Sequence, residues 1–167
     1  NQIEVDGSNG GTADGGLSWG DFDGDGDLDL LVSGYGASTP GRLRVHINNG
    51  NGTFNSNQID VDGAGGGLTY GETAWGDYDN DGDLDILVSG YDPAVPQLRI
   101  YNNNGNGTFD ANQIEVAGLN GGLYYSRVAW GDFDNDGDLD VLANGNDAAD
   151  IPQLRVFRNN AGAFDPV

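Results

Sequence analysis

A tryptophan at positions 19, 75 and 130 marks a sequence that repeats itself, with spacings of 56 and 55 residues. An Asn-Gln-Ile run begins at Asn1, Asn57 and Asn112 and keeps the same interval. The 167 residues therefore read as three copies of one unit, 1–56, 57–111 and 112–167. At this length the chain is enough for one ordinary domain with a real core, and the three units cover all of it.

Each unit carries four strand-like runs. The first ends at the tryptophan, as Leu17-Ser18-Trp19. The second is a nearly unbroken apolar run, Leu28 to Val32, Leu84 to Val88 and Leu139 to Ala143, the pattern of a strand covered on both faces. The third alternates, Leu43, Val45 and Ile47 against Arg44 and His46, then Leu98 and Ile100 against Arg99, which predicts one packed and one solvated face. The fourth is short, with Ile3 and Val5, Ile59 and Val61, and Ile114 and Val116 facing inward. Asn-Gly pairs (Asn49-Gly50, Asn51-Gly52, Asn104-Gly105, Asn106-Gly107) separate the third and fourth runs, where a tight hairpin needs positive φ. No segment shows the 3.6-residue period of a helix.

The fold class that follows is all-β: a β-propeller segment of three four-stranded antiparallel blades. Residues 1–5 read as a fourth, outermost strand that precedes the first complete inner strand, so they are expected to complete the last blade of a ring. Rings take about 4–8 blades, so three require more from a longer parent or from a second copy joined head to tail. The preferred expectation is a dimer, a six-bladed ring with two-fold symmetry. The chain starts with Asn rather than Met and shows no signal peptide, which reads as a processed product, an excised fragment or an expressed piece.

The chemistry concentrates in one nine-residue segment, Asp21-Phe22-Asp23-Gly24-Asp25-Gly26-Asp27-Leu28-Asp29. Its acids return as Asp77, Asp79, Asp81, Asp83 and Asp85, and again as Asp132, Asp134, Asp136, Asp138 and Asp140. Carboxylates at positions 1, 3 and 5 curl around one centre, and Gly at position 6 permits the sharp turn, an all-oxygen donor set suited to Ca²⁺. Softer metals favour His or Cys, which these loops lack. Five carboxylates in nine residues repel one another unless a cation sits among them. Each loop is therefore expected to be loose without metal and ordered with it. About three Ca²⁺ per chain would remove six of the 21 net negative charges.

An EF-hand would need a bidentate Glu at position 12 and a helix on each side. Here position 12 is Val32, Val88 or Ala143, and strands flank the loop. The nonapeptide calcium β-roll has a far shorter repeat. With 27 acidic against 6 basic residues, the surface repels nucleic acid and anionic membranes. No stretch reaches the apolar length of a membrane span, and the absence of Cys excludes disulfides and thiol chemistry.

The tripled Trp-Gly-Asp-Phe/Tyr-Asp-Gly/Asn-Asp-Gly-Asp-Leu-Asp segment resembles the FG-GAP/VCBS repeat, the unit of the integrin α-subunit propeller, of many bacterial secreted proteins and of some fungal lectins. The resemblance spans all 167 residues. It implies ligation of Ca²⁺ by side chains at loop positions 1, 3, 5 and 9 and by the backbone carbonyl of position 7. Carried over, the first site uses Asp21, Asp23, Asp25 and Asp29 with the Asp27 carbonyl. The second uses Asp77, Asp79, Asp81 and Asp85 with the Asp83 carbonyl, and the third Asp132, Asp134, Asp136 and Asp140 with the Asp138 carbonyl. The Gly-Ala-Pro of the family name is replaced by Val32-Ser33-Gly34 and its equivalents, which sets the chain nearer the bacterial type. The resemblance also implies an extracellular or cell-surface setting.

Variation among the copies falls in the connections expected on the rim opposite the Asp loops, 6–16 and 35–42 with their equivalents. Tyr35, Tyr70, Tyr91, Tyr124 and Tyr125 lie there and either close the seams between blades or stack on a sugar ring or peptide. Trp19, Trp75 and Trp130 read as packing residues near the blade interfaces, and His46 as an exposed side chain. Arg44, Arg99 and Arg155 recur at one position and are expected to pair with neighbouring acids. The leading functional reading is a calcium-stabilised, non-catalytic scaffold or interaction module. The alternatives are a calcium-dependent carbohydrate-binding lectin and a fragment of a secreted polysaccharide-degrading enzyme. Against the enzyme stand a single His, no Cys and aspartates committed to metal.

Overall fold

The computed structural model describes residues 3, 5, 11–36, 39–61, 67–92, 94–118 and 121–166. Its strands run β1 (Thr12–Ala13), β2 (Leu17–Gly20), β3 (Asp29–Gly36), β4 (Thr39–His46), β5 (Ile59–Asp60), β6 (Thr73–Gly76), β7 (Asp85–Tyr91), β8 (Pro96–Tyr101), β9 (Ile114–Glu115), β10 (Tyr124–Gly131), β11 (Asp140–Asn146), β12 (Pro152–Asn160) and β13 (Ala163–Pro166). They form three antiparallel sheets, ordered β1-β3-β4-β5 with β2 also on β3, then β6-β7-β8-β9, then β10-β11-β12-β13. The first sheet therefore has five strands rather than four. Its inner strand is split into β1 and β2 at Gly15-Gly16, where a Cβ on Gly15 would stand 2.2 Å from the Ser33 carbonyl oxygen. In β10 the same stretch stays continuous, with a register shift between Tyr124 and Arg127. Among the described residues there is no helix, and none is long and apolar enough to cross a membrane.

The core lies between sheets. Leu31, Leu43 and Val45 of the first meet Ile86, Val88 and Tyr101 of the second. Leu87, Leu98 and Ile100 of the second then meet Val141, Ala143 and Phe157 of the third. Full burial of one such side chain is worth about 1.5–3 kcal/mol, so these two seams carry the fold. Sandwiching corrects the reading of the third run as half solvated. His46 is only 3% exposed, at the place that Tyr101 and Phe157 hold in the other repeats.

Two sheets take their fourth strand from the following repeat. Arg44 and Val45 pair with Asp60 and Ile59, and Arg99 and Ile100 with Glu115 and Ile114. The recurrent arginines close these ladders with ion pairs, Arg44 to Asp60 and Arg99 Nε to Glu115 Oε1 at 2.8 Å. The third sheet differs. Its β13 pairs with Phe157–Asn160, around a turn in which Ala161 and Gly162 both take positive φ. That is the place of the Asn48–Phe54 and Asn103–Phe109 bridges in the other repeats. Beside Arg155 and Val156, no outer strand is paired among the described residues. The sequence assigns that place to residues 1–5; Asn1, Gln2 and Glu4 lie outside the described residues, and Ile3 and Val5 lie in no strand.

Candidate metal centres

Each Asp loop joins an inner strand to the central strand of its sheet: β2 to β3, β6 to β7 and β10 to β11. The chain reverses there through two left-handed residues. Position 4 is Gly24, Asn80 or Asn135, and position 6 is Gly26, Gly82 or Gly137, all at positive φ. Glycine and asparagine are the residues that tolerate this backbone.

The carboxylates fall into distinct roles. At position 1, Asp77 accepts from the N–H groups of Asp81 and Gly82, both at 3.0 Å, and Asp132 accepts from Asp136 and Gly137, both at 3.1 Å. At position 5, Asp25, Asp81 and Asp136 accept from the N–H two residues on, at 2.9–3.0 Å, which winds the turn tight. At position 9 the carboxylate is buried and uses both oxygens. Asp85 accepts from Tyr78 N at 3.1 Å and Asn103 N at 2.8 Å. Asp29 accepts in the same way from Phe22 and Asn48, and Asp140 from Phe133 and Asn159. This residue therefore clamps the loop to the hairpin beyond the third strand. Position 7 turns away: a Cβ on Gly50 would stand 2.1 Å from Asp27 Oδ2, and one on Gly105 2.3 Å from Asp83 Oδ2.

Carboxylate oxygens converge in all three loops. Those of Asp21, Asp23 and Asp29 lie within 4.8 Å of one another, as do those of Asp77, Asp79 and Asp85. The third triad is Asp132, Asp134 and Asp136, without Asp140. The resemblance puts Asp25 and Asp81 in the donor sets as well, but they stand outside the first two triads. These groups can hold metal ions, and the donors suit a hard cation. In the first loop Asp21 Oδ1 is buried with no hydrogen-bond partner, as expected of a lone pair kept for an ion. Burial, opposed by the two backbone hydrogen bonds and assisted by Asp79 and Asp81, pushes the Asp85 carboxyl up to about 7. Burial likewise raises Asp29. A cation in the loop would reverse that balance.

Two partners of the loops were not legible as such. One is the asparagine that opens each turn. Asn48, Asn103 and Asn159 give their backbone N–H to the position-9 Asp and their side-chain amide to the carbonyl of Leu28, Leu84 or Leu139. Their threefold recurrence was the available signal, and turn chemistry hid it. The other is Arg158, which ion-pairs with Asp134 Oδ2 at 2.9 Å and lies 5.4 Å over the Phe133 ring. The third loop thus already has a cation at its edge.

These features define a class: an all-β repeat protein whose inner strands deliver acidic, metal-capable loops at constant phase. Residues 21–88 and 89–143 match the model of the FG-GAP-like repeat, and the chain belongs to that family. No curated protein matches it.

Proposed function

We propose that the protein is a calcium-braced, non-catalytic scaffold that presents a ligand surface outside the cell. The observation that carries this reading is the position-9 clamp. An ion held by the first or second loop would be fastened, through Asp29 or Asp85, to both hairpins at one end of its sheet. Millimolar extracellular calcium fills sites with Kd of about 10⁻⁴–10⁻³ M, the range of extracellular modules. Burial of the single histidine, His46, also speaks for a non-catalytic role, since it is out of reach of a substrate. Calorimetric titration of the metal-free protein is expected to show about three Ca²⁺ per chain. The third should bind weakest because Arg158 competes for Asp134. Uptake of one ion or none would sink the assignment.

A carbohydrate ligand is favoured by one specific place. Asp14, Gly15, Tyr70, Gly71, Tyr125 and Arg127 line a cavity of about 450 Å³ drawn from all three repeats. Asp14, Tyr70 and Tyr125 each adopt positive φ, at 54°, 56° and 47°, and strained backbone of this kind collects at binding sites. Tyr125 touches Tyr70 at 5.2 Å and Tyr124 at 5.1 Å between centroids, and Tyr124 touches Tyr91 at 5.4 Å, which makes a ledge of rings. A glycan array read with and without calcium is expected to give hits that Tyr125→Ala abolishes, its ring being 66% exposed. Binding indifferent to that substitution would remove the ledge from consideration.

A further inference from the structure

We infer that the two outward faces of this chain are the two halves of one joint, and that a second copy closes it head to tail. The two internal seams supply the template. In the first, Trp75 lies against Gly20, so closely that a Cβ on that glycine would stand 2.5 Å from the indole. In the second, Trp130 lies against Gly76 at 2.6 Å by the same measure. The glycine is a socket for the next sheet's tryptophan. The third sheet carries the same socket, Gly131, with nothing within 4 Å of a Cβ placed there. The first sheet carries the unmatched tryptophan, Trp19, which is 58% exposed.

A second contact runs in step with the first. The aromatic at loop position 2 of one sheet enters the rings of the next. Phe22 lies 5.9 Å from Trp75 and 5.4 Å from Phe109, and Tyr78 lies 6.2 Å from Phe164. Both are buried, whereas their equivalent Phe133 is 46% exposed. Trp19 and Phe54, stacked at 6.4 Å, form the ring pair that no preceding sheet enters among the described residues. The aliphatic rows agree. Leu43 and Leu98 are 2% and 1% exposed, and their equivalent Leu154 is 75% exposed. Two cavities of about 210 and 220 Å³ adjoin on this free face, sharing Ala129 and Leu142; Gly131 and Phe133 line the first and Leu154 the second.

A second copy fits because each half of the joint recurs twice inside the chain with its match. An unrelated partner would have to reproduce a tryptophan, a phenylalanine and an aliphatic row at blade spacing. The contact is heterologous, joining unlike faces, so it must either close or grow. Two copies place six sheets in the ring, within the usual range of about 4–8. The net charge of −21 on each copy opposes the approach, and physiological salt screens it beyond about 8 Å. None of the joint residues is a loop carboxylate, so the joint stands apart from the calcium reading.

Sedimentation equilibrium in 0.15 M salt and millimolar calcium is expected to give twice the chain mass. Trp19→Ala and Leu154→Asp, both at exposed positions, are expected to weaken association about thirty-fold or more, as loss of a buried aromatic anchor does, while calcium uptake stays unchanged. Mixing the two variants should restore dimers, since the Leu154→Asp copy still offers Trp19 and the Trp19→Ala copy still offers the intact third sheet. A monomeric wild type, a dimer unmoved by both variants, or a ladder of masses that grows with concentration would each overturn the closed head-to-tail joint.

Discussion

Chelation of calcium is expected to remove most of the stability of this protein. A site held at about 100 times its Kd contributes about 2.7 kcal/mol, because the ion binds the folded loop and not the open chain. Three such sites contribute about 8 kcal/mol, within the entire range of about 5–15 kcal/mol for a folded domain. The loops also carry their own cost when empty, since five carboxylates within nine residues face one another with no counter-charge. For a chain of this length about 1 kcal/mol moves the melting midpoint by roughly 2–4 °C. Circular-dichroism melting in 10 mM CaCl₂ against excess chelator should therefore differ by about 20 °C. Magnesium at the same concentration should restore much less, because it insists on small octahedral sites and sheds water reluctantly. A difference below about 5 °C would mean that the loops bind without bracing.

The repeat, its strands and its acidic loops were legible because each was written three times at one spacing. Phase alone located Asp21, Asp77 and Asp132, and glycine at position 6 announced the turn. The tryptophan half of the joint between sheets was legible as packing near the blade interfaces; its socket was not, because Gly20 and Gly76 look like ordinary members of a Trp-Gly-Asp run. Only the fold shows that each receives the indole of the following repeat. His46 was misread for a related reason. Alternation along one strand reports which side chains share a face, not how deep that face lies, and His46 is buried on the face that alternation assigned to water. The third sheet departed through a small deletion. Asn159-Asn160-Ala161-Gly162 replaces the double Asn-Gly turn, so the returning strand pairs close to the turn, with Phe157–Asn160. Arg158 stayed hidden because Ile47 and Asn102 stand at its place in the other repeats, so repetition offered no warning of it.

Replacing Asp85 by Ala is expected to damage the protein in a way that replacing Asp81 does not, although both stand in the same loop. Asp81 is exposed, and its carboxylate accepts only the Asp83 N–H, so Asp81→Ala should cost under about 1 kcal/mol in the metal-free protein. Asp85 is fully buried and accepts the N–H groups of Tyr78 and Asn103. Without it two buried donors lose their partners, at about 1–3 kcal/mol each. The size of that loss depends on pH. The folded carboxyl is pushed up to about 7 from an ordinary value of 3.8, so its favourable contribution is complete below that lower value and is lost as pH rises through about 7. Metal-free wild type should accordingly be more stable to urea at pH 5.5 than at pH 8. The deficit of Asp85→Ala relative to wild type should be about 2–6 kcal/mol at pH 5.5 and should shrink at pH 8, where wild type must ionise a buried acid. Calcium restores the deficit at pH 8, since the ion compensates the charge in wild type and the variant cannot use it. Urea midpoints for the two variants at both pH values, each with chelator and with calcium, test all of this together. Equal losses for Asp81→Ala and Asp85→Ala in chelator would show that position 9 is not a clamp.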